Sequence, residues 1–256
     1  MCYTVAYLTK RAVKYARRAG ADEAEVRQLE VQLDVGIVPH QPPMFHVSGF
    51  QHPALLCFLR EGGPHFDLLR WGLIPNWTRD AAEAAQLSQR TLNARGGTIF
   101  EKPAFRSASR HRCLVLIDAF FEYQHRGRIT TPYLVRLRND EPMALAGIHS
   151  RWTDPAGGAE LHTVSIVTTV ANPLMRSIHN RPGSDGPRMP VIVPRDLDAV
   201  WLDPNSGIKA LQPVFQPYPE EALVAWPVRQ LTGRMASPNT AAAWEPGSPQ
   251  DHGLLF

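Results

Sequence analysis

The chain has 256 residues, 44% hydrophobic and 20% charged, which suits one large globular domain and leaves little room for two. No apolar run approaches the roughly 18–20 residues of a membrane helix, and the N-terminus MCYTVAYLTKRAVK lacks the pattern of a secretory signal. Three cysteines, at 2, 57 and 113, are too few and too scattered for a disulfide framework or a zinc cluster, so a reducing cytoplasm is the expected compartment. The formal charge of +3 is mild, but residues 90–138 hold ten Lys/Arg against Glu101, Asp118 and Glu122. Only four of the 27 basic residues are lysines. That arginine excess reads either as codon bias or as a phosphate-contacting surface, since guanidinium forks pair with phosphate oxygens.

In chain order, residues 9–35 read as helical, in two segments that break near Gly20. Val26, Leu29 and Leu33 fall at helical spacing. Residues 36–65 hold five prolines and four glycines and read as irregular or short extended pieces. From Phe66 the pattern becomes strands: FDLLRWGLIP, RCLVLIDAFFEY, YLVRLRN, PMALAGIH, LHTVSIVTT and MPVIV. Helices are expected at 79–90, 171–178 and 195–202. This order predicts an α+β domain over residues 1–236, an antiparallel barrel-like sheet with flanking helices. From Ser237 the chain reads as a loose tail. No glycine-rich phosphate loop follows a strand, so no nucleotide cofactor is expected.

Several residues could carry chemistry. Loss of Met1 would leave Cys2 as a 1,2-aminothiol, whose amine and thiol together close a thiazolidine ring on an aldehyde; alternatively Cys2 merely follows the start codon. In TLNARGGTIFEKPAFR, Asn93 could orient a polar group and Arg95 and Arg106 could clamp phosphates; a solvated basic loop is the plain alternative. Glu122 ends an apolar strand among aromatics, where desolvation would raise its pKa and suit it to acid–base work; a solvent-facing strand end is the other reading. His179 stands where a short helix meets a loop, with Arg181 and Arg188 behind it, and could equally be structural. Trp71 and Trp77, in RWGLIPNW, could stack on bases, although Trp71 also suits a core. No His or Cys pair has metal-ligand spacing, so no metal is expected.

Taken in order, the N-terminal MC, WGLIPNW, NAR, EKPAFR, RCL…FFEY, TTVAN and IHN…RMPVIV resemble the SOS response-associated peptidase (SRAP) family across residues 1 to about 203. The resemblance implies a pseudo-barrel, single-stranded DNA with abasic sites as partner, no cofactor, no membrane and a monomer, cytoplasmic and nucleoid-associated when engaged. It implies that Cys2 forms a thiazolidine crosslink at the abasic site, with Asn93, Glu122 and His179 as its catalytic companions. Arg95 is expected at a phosphate. AP-lyase activity and autocatalytic removal of Met1 are also implied. The start MCYT, the stretch NARGGT, the aromatic run AFFEY and the eight residues between His179 and Arg188 depart from the family pattern. That last departure leaves either Arg181 or Arg188 for the family arginine. Two other readings are a non-covalent single-stranded DNA-binding module and an N-terminal-nucleophile cysteine amidohydrolase.

Overall fold

The computed structural model describes residues 3–7, 43–181, 186–233 and 236–247, with isolated positions between 14 and 27. Cys2 and nearly all of the expected helices over 9–35 lie outside the described residues. The elements are β1 (Thr4–Tyr7), β2 (Met44–Ser48), β3 (Ala54–Leu59), β4 (His65–Trp71), α1 (Ala81–Arg90), β5 (Asn93–Arg95), α2 (Pro103–Arg106), β6 (Arg112–Ile117), β7 (Ala119–Arg126), β8 (Ile129–Leu137), β9 (Met143–Thr153) and β10 (Glu160–Val170). They continue with α3 (Pro173–Ile178), β11 (Arg188–Pro190), α4 (Asp198–Leu202), α5 (Ile208–Leu211) and β12 (Leu223–Pro227). The stretch 36–65, expected as irregular or short extended pieces, contributes two strands of five and six residues.

Strands β10, β4, β3, β6 and β9 pair in that order, and β9 pairs back onto β10, so five strands close into a barrel. The β10–β4 pair is parallel and the other four are antiparallel. Alternate residues from all five strands meet inside: Leu55 and Cys57, Leu69, Cys113 and Val115, Met143 and Leu145, Val164 and Ile166. The space is narrow. A Cβ on Gly147 would lie 2.7 Å from Cys113 Sγ and 2.8 Å from Val115, so only glycine fits there. The outer alternation, including Leu114, Ala144 and Ala146, packs under Trp201, Leu202 and Leu211 of α4 and α5.

RCLVLIDAFFEY is two strands rather than one. At Asp118, whose N–H donates to Ala6 O at 2.9 Å, the chain leaves the barrel and enters an antiparallel sheet ordered β12-β8-β7-β1-β2. Val5, Phe120 and Val135 of that sheet join the barrel core. Residues 237–247, expected to be loose, are fastened to its outer face. Trp244 donates its indole N–H to Phe45 O, Trp226 donates to Trp244 O, and Ala243 is buried beside Phe121 and Leu134.

One mouth of the barrel is polar. Asp67, His162 and His149 follow the inward alternation of β4, β10 and β9 and are linked by contacts of 2.8 and 3.0 Å. Burial, followed by the neighbouring His162, His111 and Arg151, presses His149 down to about 3. A histidine displaced downward contributes stability above its unfolded value, near 6.5, and that contribution is lost as pH falls toward the folded value. The melting temperature should therefore drop between pH 6.5 and 3, with His149 accounting for several kcal/mol as an order of magnitude. In His149→Gln the drop should be shallower; an identical pH profile by calorimetry would refute this.

Candidate catalytic and nucleic-acid site

The long strand β10 organises the site. Its first half lies inside the barrel, and its last residues take β5 on one side and β11 on the other, through Ile166↔Asn93, Thr168↔Arg95 and Thr168↔Pro190. Thr168 is the junction: its hydroxyl donates to Ala94 O at 3.2 Å and accepts from Arg188 Nε at 3.1 Å. Arg188 Nη2 also donates to Thr168 O at 2.7 Å. Asn93 is half-buried on β5, with its amide oxygen buried, and Arg95 beside it is exposed. The Gly96-Gly97 departure has a cause at its first residue, because a Cβ on Gly96 would sit 2.8 Å from the Phe215 ring.

Glu122 approaches from the second sheet. On β7 it shares a face with Phe120 and Gln124, and it is buried at 5% exposure. Burial raises its pKa, while the His179 ring opposes the rise. His179 Nδ1 lies 3.9 Å from Glu122 Oε2. The imidazole is held by a chain of polar contacts. Asn172 caps α3 by accepting from Met175 N–H at 2.8 Å, and its amide donates to Tyr218 O. Gln124 donates to Ser177 O, and the Asn180 amide both accepts from His125 N–H and donates to His125 O. The end of α3 is thereby clipped to β7, one residue beyond the histidine.

The eight residues between His179 and Arg188 do not separate them. Arg188 O and N lie 2.9 and 3.1 Å from His179 Nδ1, so β11 returns to the imidazole. Of the two candidate arginines, Arg188 is built into the site framework and Arg181 lies exposed on the surface. The N-terminus enters here as well. Strand β1 pairs with β7 through Thr4↔Phe121, which directs Tyr3 toward Glu122. Tyr3 O accepts from Gly49 N–H at 2.7 Å, and its ring packs on Phe50 with centroids 5.1 Å apart.

The remaining candidates divide. Trp71 is fully buried, with its indole N–H donated to Leu92 O just ahead of β5, so it backs the site and offers no face to a base. Trp77 is 47% exposed, and Arg106 is exposed at the end of α2. Within the basic stretch, Arg112 is buried under carbonyls of Trp201, Ser109 and Asp203, Arg136 pairs with Asp140, and Arg138 binds Glu221 O. The other seven, Arg90, Arg95, Lys102, Arg106, Arg110, Arg126 and Arg128, are exposed. Gln124, Asn180 and Thr168 position the site without belonging to any catalytic pattern; only Asn172-Pro173 carried a local signal, that of a helix start.

A buried carboxyl lies beside an imidazole, next to an incoming N-terminal strand and to the β5 strand that carries Asn93, which Thr168 and Arg188 brace. The family model described as SOS response associated peptidase (SRAP) matches residues 1–235. The chain belongs to the SRAP family. Its curated relatives include the abasic site processing protein YoqW of Bacillus subtilis, 33% identical over 193 residues, covering 74% of this chain and 80% of that protein. The abasic site processing protein HMCES of Gallus gallus is 29% identical over 157 residues, covering 53% and 44% of the two chains. Among solved structures, a protein from Bacteroides thetaiotaomicron superposes with a TM-score of 0.80 at 28% identity, covering 96% of this chain and all of that one. A Bordetella bronchiseptica protein with a TM-score of 0.70 at 24% identity, covering 89% of this chain and all of that one, shares the SRAP fold.

Proposed function

We propose that the chain processes abasic sites in single-stranded DNA by crosslinking to them through Cys2 once Met1 has been removed. The observation that carries this reading is the buried Glu122–His179 pair, 3.9 Å apart, with Glu122 on the strand that pairs with β1 and His179 at the end of α3. Tyr3, the residue that follows Cys2 in the sequence, leads into the strand that pairs beside Glu122.

The chemistry balances without a cofactor. His179 protonates the ring oxygen, the C1′ hydroxyl gives its proton to solvent water, and the sugar opens to its C1′ aldehyde. The α-amine of Cys2 adds to C1′, and the carbinolamine loses its hydroxyl as water on receiving a proton from Glu122. The thiol then adds to the imine carbon, its proton passing to nitrogen, and the thiazolidine closes. The amide of Asn93 orients the amine or the sugar. In reverse, the same pair reopens the ring, and an imine that eliminates before ring closure gives lyase chemistry. The exposed arginines of residues 90–128 supply sequence-independent affinity for phosphates.

The test is incubation of the full chain with single-stranded DNA carrying one abasic site. A denaturation-resistant protein–DNA band is expected; salt-sensitive binding without it would leave only a non-covalent module. Arg95→Ala and Arg106→Ala should each weaken binding and reduce the salt slope of affinity by about 0.7 per lost phosphate contact. An unchanged slope in both would take these residues out of the DNA path.

A further inference from the structure

The polar barrel mouth opens onto a cavity of about 210 Å³, lined by Glu61, Asn76, Ser107, His111, His149 and Arg151 among others. That is room for much more than one water, whose share of liquid volume is about 30 Å³. The proton positions along its wall follow from Asp67, which as a carboxylate only accepts. His162 Nδ1–H donates to Asp67 Oδ2 at 2.8 Å, which leaves His162 Nε2 to accept from His149 Nδ1–H at 3.0 Å. His149 Nε2 is therefore a lone pair. It is buried, meets no hydrogen-bond partner, and lies 3.7 Å from Glu61 Oε2. A buried acceptor left open in this way costs free energy, which a donor from a ligand would recover. Glu61, with a 61% exposed side chain, flanks this lone pair, and its Oε2 also meets His111 Nδ1 at 3.1 Å.

The floor of the cavity thus holds two acceptors side by side. Arg151 lines the cavity, its guanidinium paired with Glu160 at 2.8 Å, and Arg106 and Arg110, exposed, are the sequence neighbours of the lining residues Ser107 and His111. Trp77, 47% exposed, follows Asn76 in the same turn and offers a stacking face. Among the described residues no three His, Cys, Asp or Glu side chains converge as a metal-ligand set, so a cation is not the occupant the geometry favours. The ligand that fits presents adjacent N–H donors at one end and phosphate at the other. Among unpaired bases, guanine alone offers neighbouring donors, N1–H and N2–H₂. Adenine, cytosine and thymine each place an acceptor beside their donor.

We propose that this cavity receives an unpaired guanine base of the bound single-stranded DNA, at a distance from the lesion. The proposal rests on the DNA reading above. From Thr168 to His162 is six residues along β10, or about 20 Å at a strand rise of roughly 3.3 Å per residue, so the guanine lies a few nucleotides from the abasic sugar.

The experiment uses the full chain and oligonucleotides without an abasic site, so that no crosslink intervenes. Affinities are compared for an all-thymine strand, the same strand with one guanine, the same strand with one inosine, which lacks the N2 amine, and free dGMP. Guanine should bind about tenfold tighter than thymine, the size of one good paired base contact, and inosine should lose most of that gain. Glu61→Gln should bring the affinity for the guanine strand down to that for the thymine strand, both measured on the variant. His149→Gln, with folding checked by circular dichroism, should do the same. Equal affinities for the three strands, or a preference that survives Glu61→Gln, would overturn the proposal. So would dGMP binding as tightly as the guanine strand, which would make this a free-nucleotide site. Normal adduct formation without a guanine preference sinks this inference alone, whereas absence of any DNA binding sinks the functional reading with it.

Discussion

Cys2→Ala should form no denaturation-resistant adduct with abasic single-stranded DNA, while its affinity for intact DNA stays close to that of the parent. The thiazolidine needs an amine and a thiol on one residue, and alanine supplies only the amine. The variant can still condense to an imine, which hydrolyses on denaturation but is captured by borohydride. The basic surface of residues 90–128 is untouched, so DNA binding and its salt dependence persist. Blocking removal of Met1 should abolish the adduct too, and the borohydride-trapped species with it, because the amine is then a peptide nitrogen. Intact mass of the active protein should lack Met1. A normal yield of stable adduct from Cys2→Ala would end the thiazolidine mechanism.

Glu122→Gln and His179→Ala should each slow single-turnover adduct formation by about 10²–10⁴, the usual worth of one positioned acid or base. Glutamine keeps the size and reach of Glu122 but carries no exchangeable acid proton. Burial raises the Glu122 pKa, so its acid form persists above the ordinary carboxylate range. The parent rate should fall as pH rises through that value, and the limb should vanish in Glu122→Gln. Stability moves in the same direction. A carboxyl with a raised folded pKa contributes stability below its unfolded value and loses it as pH rises through the folded one. The Glu122→Gln variant should therefore melt increasingly above the parent between pH 4 and 8, by about 2–4 °C for each kcal/mol relieved. Rates within about threefold of the parent in both variants, where 10² or more is expected, would remove the pair from the mechanism.

Much of this was legible in the sequence because the site is carried by strands with strong local patterns. The apolar runs at 112–117, 143–148 and 163–169 each became a barrel strand, and Glu122 and His179, farther along the chain on β7 and at the end of α3, lie 3.9 Å apart. What stayed hidden depended on pairing at a distance. Nothing local to Asp118 announces that its amide will bond to Ala6 and split one apolar run between two sheets. Residues 44–59 read as irregular or short extended pieces because Pro and Gly interrupt them, and strand pairing with distant segments decides for extended. The inserted residues before Arg188 looked disruptive, but the contact of Arg188 with His179 depends on where the loop ends, not on its length. Trp71 already suited a core in sequence, and it is buried with its indole bonded to Leu92 O, whereas Trp77 is 47% exposed.

The segment 237–247 has a consequence for how this protein behaves among other chains. Strands β2 and β12 are the two edges of the open sheet, and an unguarded edge invites pairing with a neighbouring molecule. Here the Asn239 side chain accepts the N–H of His46, the Trp244 indole donates to Phe45 O, and Gly247 N–H donates to Pro227 O. The same few residues also cover the apolar outer face around Phe121 and Leu134. One short stretch thus acts as a selvedge for the whole sheet, occupying groups that would otherwise template self-association and leaving the opposite side, where β1 meets β7, as the face turned toward chemistry.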